Sequence, residues 1–105
     1  MMKRNQPESA SADDAETALL DAFLALTTRE EARAFLTDLC TPAELRAFAE
    51  RWQVARLLDG GELSYREIAE RAHASTTTVV RVSRFLKEMN YNGYRLVLDR
   101  LGAAR

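Results

Sequence analysis

Residues 64–86 read SYREIAERAHASTTTVVRVSRFL, and the fold turns on them. Two short helical patterns meet at a four-residue corner, Ala72-His73-Ala74-Ser75. The first, Tyr65 to Arg71, turns Ile68 and Ala69 inward, and Ala72 closes it. The second, Thr76 to Leu86, spaces Val79, Val82 and Leu86 by three and four, so one stripe faces a core. This is the spacing a helix-turn-helix needs to pack two helices across a tight angle. A small residue such as Ala69 suits the crossing, because a bulkier one would force the helices apart. An ordinary αα-corner in a helical bundle has the same apolar pattern. What favours the DNA-binding version is the polar side. Ser75 can cap the second helix, and Thr76, Thr77 and Thr78 fill its first turn, leaving backbone N–H groups beside a phosphate-sized site. Arg81 and Arg84 follow on the polar side, with Lys87 one turn later.

The charge distribution agrees. The net charge of −1 is close to neutral, but it averages unlike parts. Residues 1–40 carry eight acids and four bases, a balance of −4, and residues 41–63 stand at −1. Residues 64–105 carry four acids and eight bases, a balance of +4. Positive charge therefore gathers on the segment that holds the corner, as contact with a phosphate backbone requires.

Working outward, the 105 residues allow one domain with a tail. No run of eighteen apolar residues exists, so no spanning helix and no membrane partner are expected. Lys3 and Arg4 have no hydrophobic stretch behind them, so no secretory signal is read. Cys40 is the single cysteine, which excludes a disulfide within the chain and fits a reducing, cytoplasmic setting. Next to Leu39 and the Thr41 cap, it reads as buried and inert.

Residues 1–12 have Pro7, small polar residues and no periodic apolar positions, and read as a disordered tail. Residues 13–102 form the domain. Asp13 and Asp14 suit a helix start, and Leu19, Leu20, Phe23, Leu24 and Leu26 give it a broad apolar face. Thr27-Thr28 stops this helix, and Thr28 caps the next through a capping-box spacing to Glu31. That second helix, residues 29–39, presents Ala32, Phe35, Leu36 and Leu39. Thr41-Pro42 opens a third helix, residues 42–58, with Leu45, Phe48, Ala49, Trp52, Ala55 and Leu58 on one face. Gly60-Gly61 ends it, one of the two taking positive φ. Ser64 then caps the first helix of the corner, with Glu67 completing a second capping box. A last helix over residues 91–101 follows Met89-Asn90. No strand pattern appears, so the fold is all-α with about six helices. The first two helices are more apolar than a small helix-turn-helix needs for its own core. Either they pack on the third helix of the same chain, or they complete a homodimer core.

Thr76, Thr77, Val80, Arg81 and Arg84 project from the outer side of the second corner helix, and with Ser75, Thr78 and Lys87 they form the candidate DNA-binding set. Threonine and valine methyls suit thymine, and arginine suits guanine. Tyr65 and Arg66 open the first corner helix, where contacts to the DNA backbone are expected. Trp52 reads as core, and His73 as a turn residue, since a lone histidine without cysteine or carboxylate partners makes no metal site. There is no Gly-rich phosphate loop, no ligand cluster and no nucleophile–base pair. No catalysis, cofactor or metal is expected.

The stretch from Leu39 to Lys87 resembles the Trp repressor superfamily through L-C-T-P-A-E-L-R-A at 39–47, E-R at 50–51, G-E-L-S-Y-R-E at 61–67 and T-V-V-R at 78–81. It is more closely similar to the YerC/YecD group within it. That likeness rests on D-L-C-T at 38–41, V-A-R-L-L at 54–58, A-S-T-T-T at 74–78, R-V-S-R-F-L at 81–86 and Y-R-L-V-L-D-R at 94–100. The resemblance implies an intertwined six-helix homodimer whose two corners read adjacent major grooves of double-stranded DNA. In the repressor the tryptophan lies between the third helix and the recognition helix, and Thr41, Arg51, Thr78 and Arg81 match positions that touch it. Val82 stands where the repressor has glycine and Phe85 where it has serine, and both side chains would fill the indole's space. The expectation is a cytoplasmic homodimeric regulator binding double-stranded DNA without tryptophan. The alternatives are a regulator gated by another small ligand, or a protein-interaction module with residual DNA affinity.

Overall fold

The computed structural model describes residues 11–103, and among them every regular element is a helix. The order is α1 (Ala12–Leu24), α2 (Arg29–Leu39), α3 (Pro42–Gly60), α4 (Tyr65–Ala72), α5 (Thr76–Lys87) and α6 (Gly93–Ala103). Six all-α elements match the expectation. Residues 1–10 of the expected tail lie outside the described residues. Ser11 and Ala12, also assigned to the tail, instead begin α1: the Ser11 hydroxyl accepts from the Asp14 N–H at 3.2 Å, and the Asp14 carboxylate accepts from the Ser11 N–H.

Two compact units divide between Thr41 and Pro42. The first contains α1 and α2. Phe23 and Phe35 meet edge to face with centroids 5.5 Å apart, a favoured arrangement of the ring quadrupoles. The box at α2 is shifted by one residue from the expected one. Thr28 Oγ1 accepts from the Glu31 N–H at 3.0 Å, but the Glu31 carboxylate returns to Thr27, taking both its N–H at 2.9 Å and its hydroxyl at 3.1 Å. Thr27 offers two donors where Thr28, whose hydroxyl is already the cap, would offer one. Neither α1 nor α2 has a single buried residue.

The second unit contains α3 to α6. α3, α4 and α5 pack on one another, and α6 rests on α3 and α5. The core is Val54, Ala55 and Leu58 from α3, Ile68, Ala69 and Ala72 from α4, and Val79 and Val82 from α5. The buried face of α3 differs from the expected stripe. Val54 is fully buried, whereas Phe48 and Ala49 are exposed and Trp52 is only half-buried. The reason is steric. Where three helices cross closely, small side chains occupy the centre and large rings move to the edge. There Trp52 stacks on Tyr94, with centroids 6.4 Å apart. Cys40, expected to be buried, is also only half-buried.

The ends of these elements follow from local chemistry. Gly61, with φ of 74°, takes the left-handed backbone after α3. α6 starts two residues later than the periodicity predicts, because Asn92 adopts φ of 62° and α6 begins at the next residue. Arg95 joins α6 to α3 through an ion pair to Asp59 at 2.8 Å, and within α6 it pairs with Asp99 one turn on at 2.7 Å. These two carboxylates raise the Arg95 pKa, and the Arg95 guanidinium holds that of Asp59 below its ordinary value.

Candidate nucleic-acid interface

The corner starts at Ser64. Its hydroxyl accepts from the Glu67 N–H at 3.2 Å, and Glu67 accepts from the Ser64 N–H at 2.8 Å, the full capping box expected from the spacing. The hydrogen bond from the Ser64 N–H, with a smaller one from the Ser64 hydroxyl to the same carboxylate, holds the Glu67 carboxyl below the usual glutamate range. α4 ends on His73, whose φ of 53° and ψ of 41° place it in the left-handed region. The Ala74 N–H reaches the Ala69 carbonyl at 3.0 Å and the His73 N–H reaches that of Glu70 at 3.3 Å. This pair of bonds is the usual Schellman closure, here made without glycine. It lets the chain reverse within three residues and begin α5.

Ser75 caps α5, its hydroxyl 3.0 Å from the Thr78 N–H and 3.1 Å from Thr78 Oγ1. The helix then divides sharply. Val79, Val82 and Ser83 are buried, while Thr76, Thr77, Val80, Arg81, Arg84 and Lys87 are exposed. Those exposed positions recur at helical spacing and form one stripe of hydroxyl, methyl and cationic groups. Thr78, counted in the same set from sequence, is half-buried and spends its backbone and hydroxyl on the cap. Arg81, Arg84 and Lys87 form no ion pair with any described residue. Instead the Arg81 guanidinium lies 5.1 Å over the Phe85 ring, and Phe85 stacks on Tyr91. Thr77, Arg81, Arg84, Phe85 and Met89 line a hollow of about 370 Å³.

α4 contributes Tyr65 and Arg66, both exposed. The ammonium of Lys87 lies 6.0 Å from the Tyr65 ring, so the start of α4 and the end of α5 come together. The Tyr65 hydroxyl is not free: it hydrogen-bonds to Ser83 Oγ at 2.5 Å. Sequence reasoning missed Ser83, and the signal was a serine at a buried helical position. Phe85 and Met89, beside the arginines, were also outside the expected set.

Behind α5 lies a second, larger groove of about 540 Å³, lined by Trp52, Phe85, Tyr91, Gly93, Tyr94 and Val97. Among the described residues no group of His, Cys, Asp and Glu could hold a metal, and no helix is long and apolar enough to cross a membrane.

A capped corner between α4 and α5, with an exposed polar stripe on α5, gives this all-α scaffold a helix-turn-helix arrangement. Residues 15–102 match the Trp repressor protein family, and the chain belongs to it. It is 40% identical over 83 residues to the uncharacterized protein YerC of Bacillus subtilis (strain 168), spanning 79% of this chain and 78% of that one. It is 36% identical over 73 residues to a Trp operon repressor homolog of Chlamydia trachomatis, spanning 66% of this chain and 78% of the homolog. A crystal structure of a Staphylococcus aureus protein, provisionally assigned as a Trp repressor, superposes with a TM-score of 0.79 at 36% identity, over 94% of this chain and 96% of that one. A TrpR-like protein from Eubacterium eligens superposes with a TM-score of 0.77 at 35% identity, over 92% and 96%. The family is one of DNA-binding transcriptional regulators, not of enzymes.

Proposed function

We propose that this chain is a cytoplasmic, sequence-specific regulator that binds double-stranded DNA as a homodimer and does so without tryptophan. The observation that carries the DNA reading is the exposed stripe of α5, in which Thr76, Thr77, Val80, Arg81 and Arg84 share one side of a capped helix. Bidentate arginine suits guanine, and methyl groups suit thymine, in a major groove wide enough for a helix. Arg66 on α4 and Lys87 at the end of the α5 stripe supply charge for phosphates. A duplex selected by the protein from a random pool serves as its probe. Arg81→Ala with Arg84→Ala is expected to weaken binding to it by roughly 10²-fold and to flatten its salt dependence. Unchanged affinity in that double variant would remove these residues from the interface.

The homodimer rests on α1 and α2. Their apolar side chains Leu19, Leu20, Phe23, Leu24 and Leu39 are all exposed, Leu24 at 81%. Contiguous apolar surface of this kind belongs to interfaces. A second copy also supplies the second half-site that helix-turn-helix proteins read. Sedimentation equilibrium tests the state directly.

The loss of tryptophan binding rests on three side chains. Val82 is fully buried in the core, so no space opens above its backbone. Phe85 is held between the Arg81 guanidinium and the Tyr91 ring. Arg51, which matches a ligand-touching position of the repressor, lies 5.1 Å over the Phe48 ring. Calorimetric titration with tryptophan is expected to show no saturable heat, and micromolar binding would overturn this part. A regulator gated by another small molecule is the second reading, and the 540 Å³ aromatic groove is what favours it. A thermal-shift screen of small aromatic compounds tests it, because a ligand that binds the folded state raises Tm.

A further inference from the structure

Ser83 is the one buried polar side chain among the described residues, at 6% exposure. A hydroxyl placed there among Val79, Val82 and Leu86 loses its water and needs a partner. It has one in Tyr65, the first residue of α4, eighteen positions earlier, at 2.5 Å. The buried core that α4 and α5 share is apolar, made by Ile68, Ala69, Ala72, Val79 and Val82. Apolar packing of small side chains is non-directional, and it resists rotation of one helix about its own axis only weakly. A single directional bond near the far end of α5 supplies what that packing lacks. Ser83 stands one residue before Arg84 and two after Arg81. A rotation of α5 that broke the bond would swing both arginines around the helix.

We propose that the Tyr65–Ser83 hydrogen bond is a strut that sets the rotation of α5, making Tyr65 and Ser83 positioning residues for sequence discrimination rather than DNA contacts. The proposal rests on the DNA-binding reading above. Lys87 adds to the strut by lying 6.0 Å over the Tyr65 ring, which keeps that ring on the corner and orients the cation beside it. Ser83 is too buried to touch DNA, so whatever its removal does to recognition must act through α5.

The test compares the full chain with Tyr65→Phe, Ser83→Ala and the double variant. Each is measured against a duplex that the parent selects from a random pool and against a scrambled duplex of equal length. Removing both partners together leaves no orphaned hydroxyl, so the double variant keeps its folded state. Discrimination between the two duplexes is expected to fall about ten-fold in each single variant, the scale of one lost hydrogen bond, and no further in the double. In Ser83→Ala, whose side chain is buried away from DNA, affinity for the scrambled duplex, its salt slope and the helical circular dichroism at the assay temperature stay at the parent's values. Undiminished discrimination in Ser83→Ala overturns the strut. So does an equal loss of affinity for both duplexes in Tyr65→Phe alone, which would make Tyr65 a backbone contact. If the parent enriches no duplex, the DNA-binding reading falls and the strut falls with it.

Discussion

The two units of this chain use apolar residues in opposite ways. Residues 42–103 bury Val54, Ile68, Val79 and Val82 completely or almost so and set a polar, cationic stripe on α5, while Phe48, Leu96, Val97 and Leu101 stay exposed elsewhere on this unit. Residues 11–41 carry leucines and phenylalanines at least as large and bury none of them. Hydrophobic side chains are not self-sufficient: what they contribute depends on whether a second surface meets them. The second unit has three helices to enclose a centre. In the first, α1 and α2 leave their apolar side chains exposed, and the proposed homodimer would cover them.

The largest test of this contrast is a pair of truncations. Ile68→Ala removes most of a fully enclosed side chain and is expected to destabilise the protein by roughly 2–5 kcal/mol. Leu24→Ala, at a site 81% exposed, should cost within about 0.5 kcal/mol when the protein is dilute enough to be monomeric. Urea unfolding at low concentration measures both, and equal costs would break the comparison. The next test is a charge on the exposed side. Phe23→Glu is expected to weaken self-association by at least roughly 10²-fold in sedimentation equilibrium, through a carboxylate desolvated at the interface. The second unit's fold should be unaffected. A parent that is already monomeric at high concentration would remove the second copy.

A smaller effect should be shared by the units. Glu31 in the first and Glu67 in the second are each held below the ordinary glutamate value of 4.5, chiefly by a backbone N–H, from Thr27 and Ser64 respectively. A depressed folded-state pKa contributes stability that is fully present above 4.5 and is lost as the pH falls through the lower folded value. Amide protection at the starts of α2 and α4, taken relative to the intrinsic exchange rate at each pH, should therefore fall together below pH 4.5, and Glu67→Gln should flatten the response at α4 only. The smallest expected effect is a gain. His73→Gly relieves a left-handed non-glycine residue and should stabilise the corner by about 0.5–1 kcal/mol, read as a higher Tm. A fall in Tm would show that the histidine ring does more than turn the chain.

Much of the corner is legible in its residues, because caps and turns are local. Ser64 with Glu67, Ser75 at the head of three threonines and Gly61 after α3 each act within four residues of themselves, and each stands as its spacing predicts. Period and sign of charge likewise separated the outer stripe of α5 from Val79 and Val82. What the sequence did not reveal needed a second element to meet the first. The burial of Val54 in preference to Trp52 depends on how closely α3, α4 and α5 cross. The shift of the α2 box to Thr27 depends on which hydroxyl is already taken.

The sequence by itself determined six helices, the caps of α2, α4 and α5, and the polar stripe of α5, since those follow from hydrogen bonds and periodicities within a few residues. Only the tertiary structure decided that the Tyr65 hydroxyl is committed to Ser83, and that Arg81 lies against Phe85. The Tyr65–Ser83 contact joins residues eighteen apart, and the orientation of Arg81 over its neighbour's ring is one of several rotamers that sequence leaves open. A pattern of residue types fixes which side of a helix is wet. Which partner a side chain finds there is set by the packing of the other helices.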